Sequence, residues 1–365
     1  MTAKQVILHV GAPKTGTSYL EVIMWGQRDR LAEDGIWLPG SRREDHDALM
    51  GDVRGGVWRS PDNPWTWARL ARAARERDDV VLVSKEMLSG ATPEQVGPAL
   101  EALAGLDLHI VVGCRALSSS LPSAWQQLVK AHADIRYADW LANVRADPDH
   151  GFFRHHDPIS ILRRWAPGLP ADRVHVVTMP RNAADPVLLW KRFAAAIGVD
   201  PDRYRTPERP ANESIGAVEA EFLRRVNAEL GDRLPLRSAY YQGVQRPLIG
   251  PVLATVAQKR RFGVPARHAE WVVERSARMI EDLAAYPCTV VGDLDDLRPR
   301  IDPDSASPDD VTEEEVARLA VTATAELLVG RATARSAAPP GPQPLPPGRR
   351  LVSAVRARLG SRLGR

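Results

Sequence analysis

Lys14 stands between Gly11 and Gly16, with Thr17 and Ser18 directly after them, in the run Val6-Ile-Leu-His-Val-Gly-Ala-Pro-Lys-Thr-Gly-Thr-Ser-Tyr-Leu20. Residues of these types at this spacing can hold phosphate. The two glycines allow a tight turn and a close backbone approach. Thr17 and Ser18 open a helix whose first amides and positive dipole end attract an anion. The apolar, β-branched run Val6 to Val10 supplies the buried strand that such a loop follows. Gly11-x4-Gly16 has the glycine spacing of the nucleoside-triphosphate loop, but that motif requires lysine where Thr17 stands. The stretch therefore predicts an anion loop of another kind, although a plain strand-to-helix turn would use the same glycines.

A second basic position follows another strand. In His109-Ile-Val-Val-Gly-Cys-Arg-Ala-Leu-Ser-Ser-Ser-Leu-Pro-Ser-Ala-Trp125, Arg115 ends an apolar run and Ser123 comes eight residues later on the helix that follows. A guanidinium there can bind phosphate through two charge-assisted bonds, and a serine about two helical turns on adds one short donor. Between the two loops, Asp79-Val-Val-Leu-Val-Ser-Lys-Glu-Met-Leu88 forms a third buried-type strand whose carboxyl end carries Ser84, Lys85 and Glu86. In open α/β sheets ligands bind off the carboxyl ends of the strands, so all three sets of side chains face one crevice.

Pro13-Lys-Thr-Gly-Thr-Ser18, with Arg115 and Ser123 in order behind it, resembles the donor site of the sulfotransferase family, enzymes that use 3′-phosphoadenosine 5′-phosphosulfate (PAPS). The resemblance implies a P-loop-like sulfotransferase fold, with Lys14, Thr15, Gly16, Thr17 and Ser18 at the 5′-phosphosulfate. It implies Arg115 and Ser123 at the 3′-phosphate. Asp-Pro often follows the arginine in the family, whereas this chain has Ala116-Leu117. The family places a catalytic histidine or glutamate near Glu86, which makes Glu86 the candidate general base; His46 and His132 are rivals. Lys14 is the cation for charge that builds on the leaving 3′,5′-adenosine bisphosphate. Such a transfer needs no metal, and His155-His156-Asp157 is the nearest thing to a metal cluster.

The elements that would position these residues read as an α/β fold, a doubly wound, mostly parallel sheet flanked by helices. Helices are predicted over Thr17 to Asp34, Pro64 to Arg77, Pro93 to Ala104, Leu117 to Ala131, Pro186 to Ile197 and Ala266 to Ala285. Further strands are expected at Arg173 to Thr178 and around Thr289, the latter ending in a surface cluster of aspartates, and Asn212-Glu-Ser-Ile-Gly216 caps another helix. Residues 41 to 64 read as a polar loop holding His46, Arg54 and Trp58, long enough to touch an acceptor. Trp58, Trp125, Gln126, Lys130, Phe152, Phe153 and His155, with His46, are candidates to line the acceptor site. Lys259-Arg-Arg261 is either a solvated patch or a late basic segment over the 3′-phosphate.

Composition bounds the rest. A chain of 365 residues, 44% hydrophobic, can bury a large α/β core. Its two cysteines, Cys114 and Cys288, sit in apolar runs and indicate neither a disulfide framework nor a thiolate metal site. Residues 331–365 hold eight arginines and no acid, so the formal charge of +3 less those eight leaves −5 on residues 1–330. The body thus gives no argument for nucleic-acid binding. Val311 to Leu328 reads as a helix, then Pro339 to Pro347 as an extended linker, then a basic tail that could touch a membrane surface or a protein. The expected division is a domain over 1–300, a helical appendix over 301–335 and a tail over 336–365. No signal or spanning segment is evident, which predicts a cytoplasmic enzyme. The acceptor is a small molecule, lipid or carbohydrate. A P-loop kinase and a non-catalytic nucleotide-binding module are the alternatives.

Overall fold

The computed structural model describes residues 4–59, 62–181, 186–207, 214–256 and 259–337. Its centre is a six-stranded sheet in the order β2-β3-β1-β4-β5-β6, from Gln5–His9 (β1), Ile36–Trp37 (β2), Val80–Ser84 (β3), Asp107–Cys114 (β4), Val174–Thr178 (β5) and Thr289–Val291 (β6). All five pairings are parallel, with Val6 opposite Val81 on one side and opposite Leu108 on the other. Parallel strands need crossovers, and helices supply them on both faces. The strand order reverses between β1 and β4, which opens a crevice off their carboxyl ends.

Alternation along the strands sorts the core into two layers. Val6, Leu8, Val83, Ile110, Val112 and Val176 face one layer, which also holds residues of α4 (Trp67–Glu76), α5 (Pro93–Ala102), α6 (Leu117–Lys130) and α9 (Pro158–Trp165). Ile7, Leu82, Val111 and Val177 face the other, with α1 (Thr17–Gly26), α2 (Arg28–Glu33) and α10 (Pro186–Ile197). Two short helices, α7 (Tyr137–Ala146) and α8 (Gly151–His156), link α6 to α9. Beyond the sheet lie α11 (Ala217–Leu230), α12 (Arg237–Tyr240) running on as a wide π-type turn to Ile249, α13 (Ala269–Ala285) and α14 (Glu313–Ala337). α14 packs on α11: Leu319 and Ala323 are buried, and Glu313 and Glu315 pair with Arg225 and Arg260.

Three local expectations are corrected. The first helix stops at Gly26 rather than Asp34, because Gln27 turns to bond the backbone of Arg205 and α2 starts afresh at Arg28. The expected polar loop over 41 to 64 contains a helix, α3 (Arg43–Arg54). Asp45 starts it by accepting the amides of Ser41 and Arg42 at 2.7 and 3.2 Å, and its other oxygen accepts Asn63 Nδ2 at 2.9 Å. The aspartates after β6 are not all surface groups, since Asp296 is enclosed between Arg192 (2.6 Å) and Thr178 (2.9 Å). Asn212 and the chain beyond Ala337, including the proline-rich and basic segments, lie outside the described residues.

Candidate functional site

The loop after β1 is held by the strand beside it. Val10 N donates to Val111 O at 3.0 Å and Ala12 N to Gly113 O at 2.8 Å, so pairing with β4 continues into the loop. Thr15 Oγ1 then crosses the turn to Ala12 O at 2.6 Å. Lys14 and Gly16 adopt left-handed φ of +65° and +87°, and Gly16 O accepts Tyr19 N and Leu20 N to close the first turn of α1. A left-handed lysine is uncommon, and such strained backbone clusters at ligand-binding turns. Lys14 and Ser18 are exposed, whereas Thr15 and Thr17 are buried. Thr17 Oγ1 is enclosed without a hydrogen-bond partner, a hydroxyl free to serve a ligand at the helix start.

Arg115 leaves the end of β4 and turns toward that loop. Its Nη1 donates to Lys14 O at 3.4 Å and to Ser123 Oγ at 3.3 Å. The two residues that the family resemblance places at one phosphate are thus in contact, beside the loop that it places at another. Among the described residues no carboxylate pairs with Arg115, and burial alone holds its pKa below the ordinary arginine value. A half-buried guanidinium left without an acid is a site for an external anion.

Glu86 opens the turn Glu86–Gly90 that follows β3, and it is half-buried. The turn abuts the loop start so closely that a Cβ on Gly11 would sit 2.7 Å from Glu86 O and 2.8 Å from Ser89 Cβ. Lys85 is tied into an ion network with Glu21 (3.1 Å) and Asp47 (2.8 Å), and Arg43 lies 3.7 Å from Glu21. Burial pushes the Glu21 carboxyl above the ordinary range, and the nearby charge of Glu86 adds to it while Lys85 and Arg43 oppose it. Glu21 and Glu86 are therefore close enough to feel one another across Lys85.

The rival bases are placed elsewhere. His46 is fully buried in α3, with Nδ1 3.3 Å from Ser84 N and its ring 5.0 Å from Trp25. Burial lowers its pKa to about 4, and it does not line the crevice. His9 is equally buried, with Nδ1 2.8 Å from Ser84 Oγ and a pKa lowered to about 4. His132 stacks on Tyr240 at 4.3 Å beyond the end of α6, about 13 Å along the helix from Ser123.

Most expected acceptor-lining residues prove to be packing. Trp125 is fully buried against Tyr137 and Phe262, with Nε1 donating to Ile135 O at 3.0 Å, which removes it as a substrate platform. Phe152 and Phe153 are core residues, and Gln126 clamps Ile215 through both backbone groups. Lys130 is half-buried in the last turn of α6, its carbonyl engaged by Gln245. Arg260 pairs with Glu315 and Lys259 donates to Ala254 O at 2.5 Å, so both side chains are engaged outside the Arg115 pair. Trp58 remains partly open, bordering a hollow of about 410 Å³ that Asp47, Met50 and Val57 also line.

His155, His156 and Asp157 diverge. His155 faces Ser89 Oγ at 3.4 Å, His156 stacks on Phe152 at 4.6 Å, and Asp157 caps α9 and pairs with Arg275. Sequence reasoning missed what His156 faces. Burial, and then the charges of His155, Arg115 and Lys14, push its pKa to about 3, so this neutral imidazole is within reach of the charges of the loop after β1. Glu21 was missed as well, because an acid in an amphipathic helix reads as surface.

No family model matches the chain, and no curated protein matches it. Among solved structures, a sulfotransferase from Alicyclobacillus acidocaldarius aligns over 64% of this chain and 96% of its own, at 18% identity and a TM-score of 0.37. At that score the likeness is loose and carries no argument.

Proposed function

We propose that this chain transfers a sulfuryl group from PAPS to a hydroxyl or amine of a small-molecule, lipid or carbohydrate acceptor. The observation that supports this most is the contact of Arg115 with Lys14 O and Ser123 Oγ, at 3.4 and 3.3 Å, with no carboxylate beside the guanidinium among the described residues. Two anion-binding features of different origin, one after β1 and one after β4, thereby share one crevice. A donor with a phosphate at each end of its ribose asks for such a pair. The partnerless Thr17 Oγ1 and the left-handed Lys14 and Gly16 fit the 5′ end.

PAPS, when bound, supplies an activated sulfuryl group whose sulfur–oxygen bond to phosphate breaks as the acceptor atom bonds to sulfur. Lys14 and the amides of Thr15, Gly16, Thr17 and Ser18 would hold the 5′-phosphosulfate and meet the charge that develops on the leaving oxygen. Arg115 and Ser123 would hold the 3′-phosphate. Glu86 would take the proton of the attacking hydroxyl or amine, and Lys85, committed to Glu21 and Asp47, leaves that carboxylate to the crevice. Cys114 and Cys288 are free thiols, which suits the reducing cytoplasm proposed for the enzyme. Among the described residues no helix is long and apolar enough to cross a membrane.

Calorimetry tests the reading. The protein, without magnesium, should bind 3′,5′-adenosine bisphosphate in preference to ATP, and Arg115→Ala and Lys14→Ala should each lose tenfold or more in affinity. A preference for magnesium-ATP would instead favour a kinase, and bisphosphate binding with no turnover of any acceptor would favour a binding module.

A further inference from the structure

Beside the Glu86 turn lies a set of positive groups that the donor does not use. Arg54, the last residue of α3, donates from Nη1 to Met87 O at 3.1 Å. Its Nε is buried with no partner. Arg164 of α9 donates to Ala91 O at the far end of the same turn, to Ser160 O at 2.9 Å and to Arg154 O at 2.5 Å. Arg154 of α8 is exposed, and its side chain makes no hydrogen bond or ion pair among the described residues. The imidazole of His155 lies against Ser89 and Gly90 of the turn, where the charges of all three arginines reach it.

No acid forms an ion pair with this cluster among the described residues. Asp157, paired with Arg275, still acts on Arg164, and the fully exposed Glu94 feels the charge of Arg154 from the solvent side. Arg154 depresses both Arg54 and Arg164 by repulsion, after burial, and Arg164 falls to about 10. Like charges held together at a cost persist where an anion offsets them. Arg54 also stacks on Trp58 at 4.9 Å, and Arg237 covers the same ring at 4.7 Å, so the patch runs on to the one acceptor-lining tryptophan that stays partly open.

We propose that Arg54, Arg154 and Arg164 form a second anion site, distinct from the Arg115 site, that receives a carboxylate, phosphate or sulfate group carried by the acceptor. The word acceptor rests on the sulfuryl-transfer reading; the anion site does not. An acceptor anchored there by its own negative group would have its nucleophile offered to the crevice one residue from where Arg54 grips the backbone, at Glu86.

The test uses the full chain and inorganic phosphate as probe. With 3′,5′-adenosine bisphosphate saturating the donor site, phosphate should still raise the melting temperature of the wild type, and Arg154→Ala should weaken that response tenfold or more. The Arg154 side chain makes no hydrogen bond or ion pair among the described residues, and its carbonyl bond to Arg164 survives the substitution, so this variant should fold as the wild type does, with bisphosphate binding as the control. Glucose 6-phosphate and phenyl phosphate should compete with inorganic phosphate, and glucose and phenol should not. Absence of a second phosphate response, or one that survives Arg154→Ala, overturns the site. A response that neither organic phosphate displaces confines it to free ions and overturns the acceptor assignment. If the bisphosphate itself fails to bind, the donor reading fails; phosphate titration of the unliganded Arg115→Ala and Arg154→Ala proteins then decides the second site alone.

Discussion

Charge placement at single residues decides what this crevice can do. Among the described residues Arg115 pairs with no acid and Lys85 with two, although both follow buried strands. The difference sets opposite roles, because an unpaired guanidinium invites a ligand while a paired ammonium supports the fold. Glu86→Gln should keep the affinity for 3′,5′-adenosine bisphosphate and lower the transfer rate by about 10²–10⁴-fold, the usual size of a general-base contribution, as single-turnover kinetics would show. Equal rates would move the base elsewhere. Lys85→Met should cost about 3 kcal/mol in urea denaturation, since it leaves the buried Glu21 carboxylate with only the more distant Arg43 as a salt-bridge partner among the described residues. The double variant with Glu21→Gln should recover part of that loss. The turn that carries Lys14 was legible in the sequence because glycine spacing is a local signal. That of Glu21 was not, because its burial depends on Lys85, 64 positions away.

At the scale of elements, β4 shapes the loop after β1. Gly113 has no side chain because Thr15 occupies its space: a Cβ there would lie 2.7 Å from Thr15 Oγ1 and 3.3 Å from Gly11 O. Gly113→Ala should therefore push the loop off its strand and weaken bisphosphate binding tenfold or more, read by calorimetry, while the far-UV spectrum stays unchanged. Binding at wild-type affinity would show that the loop does not depend on this contact. Gly16→Ala should be worse, because a Cβ would meet Leu189 of α10 and φ is +87°. Strands and most helices were readable, since their periodicity belongs to ten or so consecutive residues. α3 was not: the run Arg43-Glu-Asp-His-Asp47 is so polar that its buried face, with His46, Leu49 and Met50, looks like loop.

Over the whole molecule, buried histidines tie stability to pH. His9, His46 and His155 are held near 4 and His156 near 3, each first by burial. An unfolded histidine titrates near 6.5, so between about pH 4 and 6.5 the unfolded chain binds more protons and stability rises with pH. These groups should leave the melting temperature level above pH 7 and lower it steadily as pH falls from 6.5 toward 4. A melting temperature that holds level down to pH 4.5 would contradict the neutral, buried assignment. α14 adds a second global term. A chain ending before Glu313 would expose the faces that bury Leu319 and Ala323 and unpair Arg260, and its melting temperature should drop by several degrees.

By itself the sequence determined the parallel α/β class, the loop from Gly11 to Ser18 and the link between Arg115 and Ser123, because each is written in residues near one another along the chain. Only the tertiary structure decided which side chains meet. It buried Trp125, His46 and His156, tied Lys85 to Glu21 and Asp47, and left Arg54, Arg154 and Arg164 without a salt bridge among the described residues. The physical reason is that pairing and desolvation depend on neighbours brought from distant positions. Composition and periodicity report how much charge and apolar surface a segment carries, and packing alone determines what stands opposite.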